Sequence, residues 1–171
     1  PLTTYYFRIY EYNCSEEDIK YSSFPAVFHF TTAMFYEGFE TCDLTGWQNI
    51  LIRGQKWECE SGVLTANGTG SQSHTETWMV SPPINFNLLS HEALSFQSRT
   101  SGSDDGEPFP QLTVLYSELY PGSGNPVLPE YDWQELAYQT TEANQGWKLS
   151  GFIDLSDKTT SQGSLAFRNL S

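Results

Sequence analysis

Apolar and polar positions alternate with a period of two along most of the chain, as in Phe7 with Ile9 and Leu112 with Val114. Alternation of this kind puts apolar side chains on one side of a half-buried pleated strand. The runs that carry it are rich in Tyr, Phe, Val, Ile and Thr, which suit such a surface. No stretch sustains a helical period. The pattern predicts strands at Tyr5–Tyr12, Ala26–Thr31, Met34–Glu40, Trp47–Arg53, Gly62–Ala66, Thr77–Ser81, Ala93–Arg99, Gln111–Ser117, Trp133–Tyr138, Trp147–Asp154 and Ser164–Asn169. Between them stand Asn67-Gly68, Gly102-Ser103-Asp104-Asp105-Gly106, Pro121-Gly122-Ser123-Gly124-Asn125-Pro126 and Asn144-Gln145-Gly146. Gly and Asn accept positive φ there, and Pro blocks strand continuation. Many short strands at this spacing predict an all-β fold, a sandwich or jelly roll.

Composition narrows the picture. With 171 residues, 38% apolar and 15% aromatic, the chain can bury one good core and part of a second. Its apolar runs fall far short of the ~20 residues a membrane helix needs, so no transmembrane segment is expected. It opens on Pro1-Leu2-Thr3-Thr4, with no basic, apolar leader, and this start reads as the middle of a folded domain. Twenty-one acidic against eight basic residues give a net charge of −13, which repels phosphate backbones and anionic membranes and eases cation binding. No nucleic-acid partner is expected. Cys14, Cys42 and Cys59 are odd in number and lack zinc-finger spacing; a Cys42–Cys59 bridge is one arrangement among several.

Two resemblances follow from quoted motifs. Pro1-Leu2-Thr3-Thr4-Tyr5-Tyr6-Phe7-Arg8-Ile9, followed by Asn13, resembles a late strand of a fibronectin type III domain over residues 1–33. Tyr5 stands where such a domain places its corner tyrosine, and Ser22 to Thr32 would be the final strand. Because two strands rarely stand alone, the resemblance implies a chain beginning inside that domain. From residue 34 to 171, Phe35-Tyr36-Glu37-Gly38-Phe39-Glu40, Gly46-Trp47, Trp78-Met79-Val80-Ser81-Pro82-Pro83-Ile84-Asn85 and Leu94-Ser95-Phe96 come in an order similar to the choice-of-anchor J and cleaved adhesin family. Leu112-Thr113-Val114-Leu115-Tyr116-Ser117, Trp147, Ile153-Asp154-Leu155-Ser156 and Leu165-Ala166-Phe167-Arg168 continue the series. MAM domains resemble this family too, sharing the Phe39-Glu40 and Gly46-Trp47 opening. The resemblance implies a jelly roll whose closing strand is expected beyond Ser171. It also implies a place in modular secreted proteins of Bacteroidetes-type bacteria.

The candidate chemistry is sparse. Calcium takes six to eight oxygens from carboxylates and carbonyls. Glu37 and Glu40 on the opening strand, where relatives of the family hold a structural calcium, are one candidate site; Asp104, Asp105 and Glu107 in a flexible loop are a second. Residues three apart on a strand point to different faces, so Glu37 and Glu40 together need a bulge, and solvated carboxylates are the alternative for both groups. Trp47, Trp57, Trp78, Trp133 and Trp147 are large flat apolar surfaces suited to core packing, sugar rings or protein hot spots. Trp133, with Tyr131, is the ligand candidate because it follows a long Gly/Pro segment, against the alternative of burial. Asn13, Asn67 and Asn169 head glycosylation sequons. No G-x-S-x-G elbow, H-E-x-x-H helix or glycine-rich phosphate loop occurs, and His29, His74 and His91 are scattered singly, so no enzyme is expected.

These readings predict a non-catalytic adhesion or ligand-binding module, secreted or at the cell surface and calcium-stabilised. Its partners would be a host or matrix protein, or a glycan, beside neighbouring modules of the same polypeptide. The alternative is an architectural spacer, or the accessory domain of a secreted peptidase or glycan-active enzyme.

Overall fold

The computed structural model describes backbone strands within residues 4–31, at 4–9, 12–15, 18–21 and 26–31, and describes residues 39–66, 75–88, 92–100, 111–139 and 146–170 with their side chains. The chain divides into two compact units, Pro1–Gly38 and Phe39–Ser171. The join expected near Thr32-Ala33 lies outside the described residues.

In the first unit, β1 (Thr4–Ile9) pairs antiparallel with β4 (Ala26–Thr31), and β2 (Tyr12–Ser15) with β3 (Asp18–Tyr21). The sequence pattern ran the first strand on to Tyr12. Of that stretch, residues 5–9 lie in the pair with β4, Tyr12 belongs to the separate hairpin of β2 with β3, and residues 10 and 11 lie outside the described residues.

The second unit holds β5 (Gln48–Arg53), β6 (Glu58–Glu60), β7 (Val63–Thr65), β8 (Glu76–Val80), β9 (Ala93–Leu94), β10 (Gln97–Ser98), β11 (Gln111–Ser117), β12 (Gln134–Glu135), β13 (Lys148–Leu149), β14 (Ile153–Asp154) and β15 (Ser164–Leu170). A five-stranded antiparallel sheet runs in the order β12-β11-β15-β8-β5. Its three middle strands carry unbroken apolar stretches, Trp78-Met79-Val80, Val114-Leu115-Tyr116 and Leu165-Ala166-Phe167. Strands buried on both faces are free of the polar alternation that a solvated face imposes, and nearly all of these side chains are buried.

A smaller ladder lies apart from this sheet. β9 pairs with β14 and β10 with β13. The amide of Ser150 donates to Phe96 O (2.9 Å) and that of Leu155 to Glu92 O (2.9 Å), so the two short pairs form one interrupted ladder of residues 92–98 against 148–155. The segment after β12 links both sheets: Leu136 N donates to Val114 O (2.8 Å) and Gln139 N to Ser150 O (3.0 Å).

Phe86, Tyr116, Ile153, Leu155 and Leu165 form the core between the sheets, with Ile84, Leu94, Phe96, Leu136 and Tyr138 packed against it. Each large side chain buried here contributes about 1.5–3 kcal/mol relative to exposure. Phe96 sits between Phe167 (5.2 Å, edge-on) and Tyr138 (5.1 Å). Gly163 is required by close approach, because a Cβ there would lie 2.6 Å from a Phe86 ring carbon and 2.9 Å from one of Tyr116.

At one end of the sheet, Phe39 (φ 56°) and Cys42 (φ 53°) adopt left-handed backbone, and Cys42 N donates to Phe39 O at 2.8 Å. This turn brings Cys42 to Cys59 of β6, to which it is disulfide-bonded with a Cα–Cα separation of 5.5 Å. It also ends the strand expected at Met34–Glu40: Phe39 and Glu40 are not in a strand, because the left-handed residue breaks the extended run, and residues 34–38 lie outside the described set. All described regular structure is antiparallel strand with two single-turn 3-10 segments, an all-β fold as the alternation predicts.

Candidate functional site

The side of the five-stranded sheet turned away from the core carries Ile50, Trp78, Val80, Leu115 and Ala166, which the strand register lines up on one face. Left bare, this face would expose a large apolar area. Residues 118–133 fold over it, and Tyr120, Tyr131 and Trp133 pack against it. Ser117 at the end of β11 anchors the start and end of this cover. Its hydroxyl donates to Tyr131 O and accepts the amides of Leu119 (3.0 Å) and Tyr120 (3.1 Å).

The aromatic rings then interlock. Trp133 lies 5.5 Å from Trp78 and 5.3 Å from Tyr120, and Tyr120 meets Tyr131 edge-on at 5.2 Å. The Trp133 indole N–H donates to Pro126 O at 2.9 Å. The Tyr120 hydroxyl lies 3.0 Å from Gln48 Oε1 and 3.1 Å from Gly124 O, and burial pushes its pKa up. At the margin, Glu76 Oε1 accepts from both Trp78 Nε1 (3.0 Å) and Arg168 Nε (3.1 Å), with the Arg168 guanidinium 5.4 Å from the Trp78 ring. Trp133 and Tyr131, the expected ligand residues, are thus both half-buried parts of a sheet cover, and the one polar atom of Trp133 is already bonded inside the protein.

The expected calcium residues are not brought together among the described residues. Glu40 is exposed in the turn before Cys42. Glu37, Asp104, Asp105 and Glu107 lie outside the described residues. No group of three His, Cys, Asp or Glu that could hold a metal occurs among the described residues. His74 and His91 also lie outside them, as does the side chain of His29. Of the sequon asparagines, Asn169 is only 4% exposed in the middle of the fold, out of reach of any glycan-transfer reaction in the folded state.

The outer face of the smaller ladder is different. On one strand Ala93, Ser95, Gln97 and Arg99 are exposed, alternating with half-buried Leu94, Phe96 and Ser98. The pairing Ser98↔Lys148 and Gln97↔Leu149 gives way to Leu94↔Ile153 and Ala93↔Asp154, one residue out of step. A bulge at Gly151, where φ is +77°, absorbs the extra residue. Opposite Arg99, Gln97, Ser95 and Ala93 therefore stand Trp147, Leu149, Phe152 and Asp154.

This face has a polar column and an apolar column. Phe152 is 85% exposed, Trp147 50% and Leu149 49%. The Arg99 guanidinium lies 5.3 Å from the Trp147 ring centre. The positive end carries Arg99, and the other end carries Asp154, which accepts the Ser156 amide at 2.9 Å. What the face offers is contact area, with aromatic and guanidinium groups of the kind enriched at recognition surfaces.

Sequence reasoning had placed Trp147 in a strand but did not single out this face. The readable signal was Gly151, since an isolated glycine inside a strand pattern marks a bulge. Comparison of the chain with known protein families, with curated proteins and with solved structures finds no match.

Proposed function

We propose that this chain is a non-catalytic binding module of a secreted or cell-surface protein, and that it binds through the outer face of the smaller ladder. The observation that carries this reading is the column of Trp147, Leu149 and Phe152, three large apolar side chains left in water side by side. Together they present on the order of 400 Å² of apolar surface, the size of patch that on a soluble protein often has a function. A compartment outside the reducing cytosol is supported by the Cys42–Cys59 disulfide. The jelly-roll arrangement and the adhesin-like family remain part of the same reading, on the motifs quoted above.

The test is binding to immobilised matrix proteins and glycans by the parent protein and by a Trp147→Ser, Phe152→Ser double variant. A saturable signal lost in the variant, with an unchanged melting temperature, is the expected result. Silence of the parent across broad arrays, together with no self-association through this face, overturns the reading in favour of a spacer that holds other modules apart. Calcium at Glu37 or Glu40, or at Asp104, Asp105 and Glu107, belongs to the same proposal. Chelation should lower the melting temperature and added calcium restore it, because an ion bound only to the folded state stabilises by mass action. An unchanged melt of protein shown to be metal-free removes the ion.

A further inference from the structure

We infer that the partner of this face is a second copy of the same chain, paired face to face and antiparallel about a two-fold axis. The inference rests on the binding reading of the face and adds the identity of its occupant.

From one end of the ladder to the other the apolar column reads Trp147, Leu149, Phe152, Asp154, and the polar column Arg99, Gln97, Ser95, Ala93. A two-fold axis lying between two stacked copies, at right angles to the strands, reverses the strand direction and leaves each column over its own equivalent. Apolar then faces apolar, with Phe152 of one copy over Leu149 of the other. Small Ala93 meets the long Arg99, and Asp154 comes to the end where Arg99 and Trp147 stand. Both ends gain an opposite-charge contact because the operation is its own inverse, which is the condition for an isologous interface. Stacked sheets lie about 10 Å apart, and neighbouring strands about 4.8 Å, so a guanidinium in one column can reach a carboxylate in the next.

Charge and area set the strength. Each copy carries a net charge of −13, but at physiological salt the Debye length is about 8 Å, so distant like charges are screened while the end contacts are not. The face is smaller than the about 800 Å² per partner of a standard stable interface. Pairing is therefore weak and depends on concentration. A foreign glycan is less well matched: the one indole already carries a guanidinium, and Leu149 and Phe152 offer sugar hydroxyls no polar partner.

Sedimentation of the whole chain up to about 1 mM should reveal monomer and dimer in a concentration-dependent ratio, the range in which weak contacts of this size become populated. Phe152→Ser should weaken dimerisation at least tenfold. Arg99→Glu alone and Asp154→Arg alone should each abolish it, since each places two like-charged pairs across the axis. An equimolar mixture of these two variants should dimerise again, because both end contacts are then of opposite sign. Ala93→Lys replaces Asp154→Arg in the same mixture should loss of the Ser156 contact unfold the latter. Failure of the mixtures to dimerise, a dimer indifferent to Phe152→Ser, or a monomer at every concentration overturns the second copy. If the monomer still gives array binding that Trp147 and Phe152 control, only the identity of the partner falls; if the array is silent as well, both readings fall.

Discussion

Two outer faces of the second unit carry similar side chains and meet opposite fates. On the five-stranded sheet, Trp78 and its neighbours are covered by Tyr120, Tyr131 and Trp133. On the smaller ladder, Trp147, Leu149 and Phe152 stand in water. The difference is not apolar content. The covered face adjoins a long segment, residues 118–133, whose buried polar groups find partners within the protein: the hydroxyl of Ser117, Gln48, and the carbonyls of Gly124 and Pro126. Burying an aromatic ring with an N–H or O–H is favourable only when that group is bonded. A tryptophan after a Gly/Pro-rich stretch is thus no better a ligand candidate than one on a regular strand; the neighbours that satisfy its indole decide.

The comparison breaks most sharply on stability. Trp133→Ala removes contacts to Trp78 and Tyr120 and leaves the Pro126 carbonyl without its donor, so it should cost about 3–4 kcal/mol. Phe152→Ser, a change of similar size on the open face, should shift stability by no more than about 0.5 kcal/mol. Chemical denaturation of the two variants measures both. Equal losses would mean that Phe152 is covered in solution and that the two faces do not differ in kind.

The second effect probes whether the open face is independent of the disulfide-bonded opening turn. The Cys42–Cys59 bond ties the opening turn to β6 across a sequence separation of 17. Replacing both cysteines by serine should cost about 2–3 kcal/mol, most of it through greater freedom of the unfolded chain. Binding by the Trp147, Leu149 and Phe152 face should survive the change at temperatures where the protein stays folded. A denaturation midpoint insensitive to reductant would show that the bond contributes nothing, and a loss of binding would couple the two ends.

Much of the fold was legible because alternation and turn residues are local. Ala26–Thr31 and Gln111–Ser117 fall where the pattern put them, and β5, β8 and β15 lie within a residue of theirs. The last two residues of the strand expected at Met34–Glu40 were misread because left-handed backbone at Phe39 leaves no mark on a residue that also suits a strand. The site was less legible. Covering of Trp133 depends on Trp78 in another strand and on Tyr120, whose hydroxyl is bonded to Gln48, 72 positions earlier in the chain, none of it visible from the Gly/Pro run beside it. Exposure of Phe152 depends on a one-residue slip that reverses which side chains face water.

That slip yields the smallest effect and the most specific one. Without a bulge, Leu149 and Ile153 share a phase, and so do Phe152 and Lys148; with it, Leu149 and Phe152 point outward together while Ile153 stays in the core. Gly151 makes this affordable at φ +77°, where a side chain is disfavoured, although a Cβ placed there would meet Gln139 only at ordinary contact distance, Nε2 at 3.5 Å. Gly151→Ala should therefore cost about 1 kcal/mol from backbone strain and nothing from collision. Deleting Gly151 should act differently: it forces the strand into plain register and turns either Leu149 or Ile153 to the wrong side. If the open face is the binding face, Gly151→Ala keeps binding at slightly reduced stability, whereas the deletion loses binding at any stability it retains. Amide hydrogen exchange at Ser150 and Leu155, whose N–H groups flank the bulge, reports whether the ladder has shifted; binding that persists with a shifted ladder would separate the function from the column of Trp147, Leu149 and Phe152.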